Sequence, residues 1–70
     1  MSIAAKGRGR LTEEERAPFA HVVEEGRAEA VSKRLGLGRE TFIRLAGGLP
    51  VRNVTLLAAR AALRDGLVTP

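Results

Sequence analysis

Arginine is the residue type through which this sequence could do chemistry. Two arginines stand in the N-terminal run KGRGR, and Arg39 and Arg44 flank Glu40 and Thr41 in a later segment. A guanidinium group stays charged at neutral pH and presents planar pairs of donors, which match phosphates, carboxylates and the acceptor edge of guanine. The chemistry that these residues predict is recognition of an anion or a nucleobase.

The residue types that catalysis or metal binding would need are sparse. The chain has one histidine, His21, and no cysteine. No serine or aspartate stands at a spacing that would complete a catalytic set with His21, and a thiolate zinc site is impossible. We therefore expect no enzyme, no cofactor and no metal, and we expect His21 to lie on the surface or half-buried on a helix.

The positive charge is concentrated in two parts of the chain. The 70 residues carry a net charge of +4, divided into +3 over residues 1–10, −4 over residues 11–31, +6 over residues 32–64 and −1 from Asp65. A concentrated positive field favours a polyanionic partner, with nucleic acid as the first candidate. Phe19 and Phe42 are the only aromatic residues, so a base-stacking surface of the kind that binds single strands is not expected.

The N-terminal third of the chain predicts an arm followed by a helix. Residues 1–10 alternate glycine with cations, which predicts a flexible basic arm. Residues 11–70 are then expected to form the folded domain. Thr12 and Glu15 have the spacing of a capping box, which predicts a helix over residues 13–25. Pro18 lies deep in that helix, so either the helix kinks there or its regular part begins at Pro18.

Three further helices are predicted, with short connections. Helices over residues 27–35 and 39–46 are separated by Gly36-Leu37-Gly38, which is short enough to be only a tight turn. Gly47 and Gly48 stop the third helix. Asn53 is expected to cap a fourth helix over residues 54–65.

The run AEAVSKRLGLGRETFIRLAG has the layout of a helix-turn-helix motif. Gly36 permits the turn, the side chain of Leu37 is expected to pack between the two helices, and Phe42 and Leu45 are expected to anchor the second helix in the core. Over residues 11–63 the sequence resembles the lambda repressor and Cro-like helix-turn-helix family, although Ser32 stands where alanine is more usual and Gly38 where serine is common. The resemblance implies an all-α, compact four-helix domain that binds double-stranded DNA through its third helix.

The residues expected to contact DNA fall into three groups. The outward side of the third helix would contact bases through Arg39, Glu40, Thr41, Ile43 and Arg44. Positions that border the groove would contact phosphates through Arg27, Lys33, Arg34, Arg52 and Asn53. The arm would reach a phosphate or the minor groove through Arg8 and Arg10. The acidic first helix is expected to lie away from the DNA.

The fourth predicted helix is apolar around most of its circumference. Leu56, Ala59 and Leu63 are candidates for a homodimer contact, since a helix that buries one face needs fewer apolar residues. The alternative is that its small alanines simply allow close packing within the domain.

These observations together predict a sequence-specific transcriptional regulator, and the family resemblance implies one of phage or bacterial type. We expect a repressor that occupies a two-fold operator as a homodimer, in the cytoplasm with the nucleoid, since no segment approaches the length of a membrane span. One alternative is a helical protein-interaction module with the acidic first helix and apolar fourth helix as partner surfaces. The other is a nonspecific architectural or RNA-associated protein led by its basic arm.

Overall fold

The computed structural model describes residues 7–68, which form four α-helices and a short β ribbon. The elements in chain order are β1 (Arg8–Gly9), α1 (Glu13–Glu24), α2 (Ala28–Leu35), α3 (Arg39–Ala46), β2 (Val51–Arg52) and α4 (Asn53–Arg64). The predicted all-α class is confirmed, and the bounds of α3 are those predicted. Within residues 7–68, no helix is both long enough and apolar enough to cross a membrane.

The first helix begins with the predicted capping box. The backbone N–H of Glu15 donates to Thr12 Oγ1 over 3.1 Å, and the backbone N–H of Thr12 donates to Glu15 Oε1 over 2.9 Å. The helix then runs through Pro18, so the alternative in which it begins at Pro18 is wrong. Pro18 is buried, so its ring contributes apolar burial to a helix in which it cannot donate a backbone hydrogen bond.

The connection between α2 and α3 is the tight turn that the glycines predict. Gly36 caps α2 in the left-handed conformation, with φ 72° and ψ 24°, and Gly38 is the N-cap of α3. The backbone N–H of Leu37 donates to the carbonyl of Ser32 over 2.9 Å. Ser32 is 1% exposed, and its hydroxyl donates to the carbonyl of Glu29 over 3.0 Å, so a polar side chain is accommodated where the two helices meet.

The core is centred on a contact between α1 and α3. The rings of Phe19 and Phe42 are fully buried, with centroids 5.2 Å apart and planes tilted by 47°. Leu11, Val31 and Leu45 surround them as buried members of the same cluster. Tilted aromatic pairs of this kind add about 0.5–1.5 kcal/mol to the stabilisation from buried area.

The β ribbon changes the interpretation of the N-terminal arm. β1 and β2 pair antiparallel, with Arg8 opposite Arg52 and Gly9 opposite Val51. The predicted flexible arm over residues 1–10 is therefore wrong for Arg8 and Gly9, and its residues 1–6 lie outside the described residues. Pairing is possible because Gly9 approaches α4 closely: a Cβ atom at this position would lie 2.6 Å from Leu56 Cδ1.

The fourth helix also differs from its prediction. Asn53 is its first residue instead of its cap, because Arg52 occupies the N-cap position in extended geometry and supplies no side-chain cap. Leu56 and Ala59 are 6% and 0% exposed in the core, so these two candidates for a homodimer contact are already covered within the chain. Leu63 is half-buried against the same core.

A bidentate ion pair joins the start of α1 to α4. Arg60 donates through Nε to Glu15 Oε2 over 2.9 Å and through Nη2 to Glu15 Oε1 over 3.1 Å. These hydrogen bonds, followed by the one from the Thr12 backbone, hold the pKa of Glu15 below its usual value of 4.5. The folded state therefore gains stability from ionised Glu15 above pH 4.5 and loses it as the pH falls through the lowered folded-state pKa.

We predict that the Arg60→Ala variant is less stable than wild type at pH 7, by about 1 kcal/mol or less for a partly exposed pair. The difference should shrink as the pH falls below 4.5, because protonated Glu15 no longer attracts Arg60. Thermal unfolding followed by circular dichroism over a pH series measures this. Arg64→Ala is the matched control, since Arg64 Nε lies 3.8 Å from Asp65 Oδ1 and the Arg64 side chain is 74% exposed. A stability difference that stays constant with pH would contradict the prediction.

Candidate nucleic-acid interface

The third helix has one buried and one exposed side. Phe42 and Leu45 are fully buried, and the positions on the opposite side are therefore directed to solvent. Of the residues predicted to contact bases, Arg39, Glu40, Ile43 and Arg44 are exposed and Thr41 is half-buried. The structure therefore places this predicted set along the free side and flanks of α3.

Three arginines from separate elements line one surface concavity beside α3. Arg8 comes from β1, Arg44 from α3 and Arg52 from β2, and we call these residues the arginine cluster. The hydroxyl residues Thr41 and Thr55 lie in the same lining, and the concavity has a volume of about 340 Å³. Among residues 7–68, no carboxylate lines this concavity, which combines positive charge with hydroxyl donors and is suited to an anion.

The local fold accounts for each arginine in the cluster. The antiparallel register sets Arg8 directly opposite Arg52. Arg44 is oriented by a hydrogen bond from Nη2 to the carbonyl of Pro50 over 3.2 Å. Like charges directly opposite each other in a β ribbon are destabilising, so the register of Arg8 and Arg52 opposes pairing of β1 with β2.

The other flank of α3 is more acidic and apolar. Arg39 and Ile43 line a concavity together with Glu29, and Ile43 also lines an apolar concavity that includes Ala20 and Glu24. Glu24, at the end of the acidic first helix that is expected to lie away from the DNA, and Glu29 of α2 therefore both lie beside α3. The reason is that α1 packs along α3, which brings the end of α1 and the start of α2 beside Ile43.

The remaining predicted phosphate contacts are dispersed. Arg27 donates to Glu25 Oε1 over 2.7 Å, and this hydrogen bond is the main cause that lowers the pKa of Glu25, so the charge of Arg27 already has a partner. Arg10, Lys33 and Arg34 are exposed but do not line the concavity of the arginine cluster. Asn53 is exposed and adjoins Arg52 at the start of α4.

Thr55 is the residue of this site that the sequence interpretation missed. It is half-buried and lines the concavity of the arginine cluster. Its position three residues after Arg52, in the first turn of α4, was the available signal, because residues at this spacing share a helix face.

His21 lies on the exposed surface of α1, as expected. Its Nε2 atom is 3.1 Å from Glu25 Oε2. Within residues 7–68, no group of three or more histidine, aspartate or glutamate side chains is arranged to hold a metal ion.

We predict that the Gly9→Val variant is destabilised by about 1–3 kcal/mol, the usual cost of forcing extra atoms into a packed site. The side chain would meet buried Leu56, whose Cδ1 atom would be 2.6 Å from the new Cβ. Gly7→Val is the matched control, because nothing lies within 4 Å of a Cβ at Gly7. Urea unfolding measures the stabilities, and amide exchange at Val51 reports the ribbon. Equal stability of the two variants would contradict the close packing of β1 on α4.

No family model, curated protein or solved structure matches this chain. The candidate interface consists of three surfaces. These are the exposed side of α3, the arginine cluster on one flank of that helix, and the mixed acidic and apolar surface on the other.

Proposed function

We propose that this protein is a sequence-specific DNA-binding transcriptional regulator that inserts α3 into the major groove. The observation that carries the proposal is the arrangement of side chains around α3. Its free side presents hydrogen-bonding groups, and within the described part of the chain no carboxylate lines the concavity of the adjoining arginine cluster. The short turn at Gly36 and the resemblance of this segment to helix-turn-helix proteins support the same function. Occupation of an operator would make the protein a repressor.

The proposed base contacts come from the outermost part of α3. Arg39 can donate two hydrogen bonds to guanine, Glu40 can accept from the amino group of cytosine, and Ile43 can pack on a thymine methyl group. Each good contact of this kind contributes about 1–3 kcal/mol of discrimination between bases. Because Arg44 and Thr41 line the concavity of the arginine cluster, we assign them to the phosphate backbone instead of to bases.

The unequal flanks of α3 favour one placement against the duplex. The arginine cluster would meet a phosphate strand, while Glu24 and Glu29 on the opposite flank would be repelled by one. Phosphate contacts should therefore be concentrated on the β ribbon and the start of α4. Contacts of this kind set the register of a protein on DNA, and base contacts then supply the sequence preference.

A second candidate function is supported by the apolar concavity between α1 and α3. Ala20, Val23, Ile43 and Ala46 line it, and Ile43 is 40% exposed. Such a concavity is suited to an apolar side chain of another protein, as a helical protein-interaction module would require. In that case Ile43 would contribute to protein binding and nothing to base preference.

We further propose that the regulator acts as a homodimer. A single eight-residue helix such as α3 reads only a short half-site, and pairs of copies on two-fold sites provide greater specificity. Exposed apolar side chains of α4 and the segment after it are available for pairing: Val54 is 67% exposed, Leu57 69% and Leu67 53%. This surface replaces the one expected at Leu56 and Ala59.

We predict that selection from random duplexes enriches one DNA sequence and that affinity for it falls steeply with salt. The Glu40→Gln variant should change the preference at one base pair, by about 1–3 kcal/mol, and bind random duplex more tightly, because a negative charge near the phosphates is removed. Glu14→Gln is the matched control, since Glu14 is also an exposed acid in the first turn of a helix. Failure to enrich any sequence would refute the regulator and leave a nonspecific binder, and absence of salt-dependent binding would favour the protein-interaction module.

We predict that the protein associates into dimers as its concentration rises and that Leu57→Glu abolishes this association while the chain stays folded. A charge at this exposed position would have to be buried without a partner when two copies meet. Leu49→Glu is the matched control, since Leu49 is 46% exposed but precedes β2, outside α4. Sedimentation equilibrium measures the mass. Dimers that persist in Leu57→Glu would move the contact elsewhere, and a monomer at every concentration of wild type would refute pairing in the absence of DNA.

A further inference from the structure

We propose that the arginine cluster binds one phosphate group and that docking of β1 completes this site, so that phosphate binding and docking of the N-terminal strand stabilise each other. The proposal deepens the DNA-binding function proposed above, since a DNA phosphodiester is the intended source of the group. Inorganic phosphate carries the same chemistry and provides a test that does not depend on DNA.

The cluster differs in its surroundings from those arginines of residues 7–68 that form ion pairs. Arg27, Arg60 and Arg64 each lie within 4.0 Å of a carboxylate oxygen. The concavity lined by Arg8, Arg44 and Arg52 has no carboxylate among its described lining residues. The three guanidinium groups therefore lack a local counter-charge, and a phosphate oxygen can accept several charge-assisted hydrogen bonds at once.

The lining also holds neutral donors. Thr41 on α3 and Thr55 on α4 lie among the same residues as the arginines, and both are half-buried. Hydroxyl groups complement guanidinium donors around a phosphate because they rotate to suit an acceptor. Residues from β1, α3, β2 and α4 thus converge on one surface concavity.

The N-terminal strand supplies the third positive charge only when it is docked. Arg8 reaches the cluster because β1 pairs with β2, in a register that sets it directly opposite Arg52. This register brings like charges together, which opposes docking. A phosphate between them replaces repulsion with attraction to both. The bound state therefore favours the docked strand, and by linkage the docked strand must favour phosphate to the same extent.

A substitution at Gly9 can test the effect of docking without a change in charge. The Cα atom of Gly9 lies so close to α4 that an added Cβ would be 2.6 Å from Leu56 Cδ1. A valine at Gly9 would oppose docking without altering any charged group. Gly9→Val should therefore weaken phosphate binding to about the extent that removal of the Arg8 side chain does. The two changes together should lower the phosphate affinity no further than either change alone.

The first experiment measures thermal unfolding at pH 7 in sodium phosphate and in sodium chloride of the same ionic strength. For wild type, phosphate at tenfold its dissociation constant should raise Tm by about 5–10 °C over chloride. Arg8→Ala, Arg52→Ala and Gly9→Val should each lose most of this rise, and Gly9→Val combined with Arg8→Ala should lose no more. Arg64→Ala is the matched control that retains the rise, because Arg64 ends the 12-residue α4, about 16 Å from its start.

The outcomes of this experiment distinguish phosphate binding at the arginine cluster from the coupling of that binding to docking of β1. A phosphate-dependent rise in Arg8→Ala or Arg52→Ala equal to that of wild type would overturn the site and reveal only the general stabilising effect of phosphate. A full rise in Gly9→Val would overturn the coupling. Arg8 and Arg52 are exposed, so their alanine variants keep the test decisive if Gly9→Val fails to fold.

The second experiment repeats the comparison with a random DNA duplex. Arg8→Ala and Gly9→Val should each lower the slope of log affinity against log salt by about 0.9, the value for one phosphate contact. Arg64→Ala should leave the slope unchanged. A phosphate-dependent rise in Tm without duplex binding would retain the site for free phosphate and overturn the DNA-binding function. Duplex binding with an unchanged slope in Arg8→Ala would exclude the cluster from the DNA contact.

Discussion

The packing of Phe19 against Phe42 is the contact on which the rest of this structure depends. The two rings are the only aromatic groups in the chain, and both are fully buried between α1 and α3. Because Phe42 and Leu45 direct one side of α3 into this core, the opposite side is presented to solvent. The same contact brings α1 along α3, which places Glu24 near Ile43 and so gives α3 one acidic flank. The core thus determines both the exposure and the electrostatic surroundings of the proposed recognition surface.

The charges are organised by which arginines have partners. Arg60 forms an ion pair with Glu15 of the α1 capping box, and Arg27 forms one with Glu25. These pairs reduce the free positive charge on the α1 side of the molecule. The arginine cluster lies at the β ribbon, where two strands of two residues each set Arg8 opposite Arg52. A small net charge of +4 therefore includes a local concentration of positive charge that suits a single phosphate group.

Much of the helical framework could be predicted because its signals are local. The capping box of Thr12 and Glu15, the left-handed Gly36 and the inward spacing of Phe42 and Leu45 each depend on residues a few positions apart, and all are present in the fold. The errors share a different cause. The sequence predicts a homodimer contact at Leu56 and Ala59 because a helix sequence alone does not show how many of its sides are covered, and in the fold both residues are buried in the core. The sequence predicts that Gly9 belongs to a flexible arm, although the absence of a side chain at Gly9 is what lets β1 pack on Leu56.

The sequence by itself determined the four helices, the turn between α2 and α3 and the residues on the free side of α3, since periodicity and caps act within one or two turns. It also identified Arg8, Arg44 and Arg52 as candidates, but as contacts with separate roles. Only the tertiary structure decided that they line one concavity. Their convergence depends on strand pairing between residues 8 and 52, a register between distant segments that no local pattern of side chains encodes.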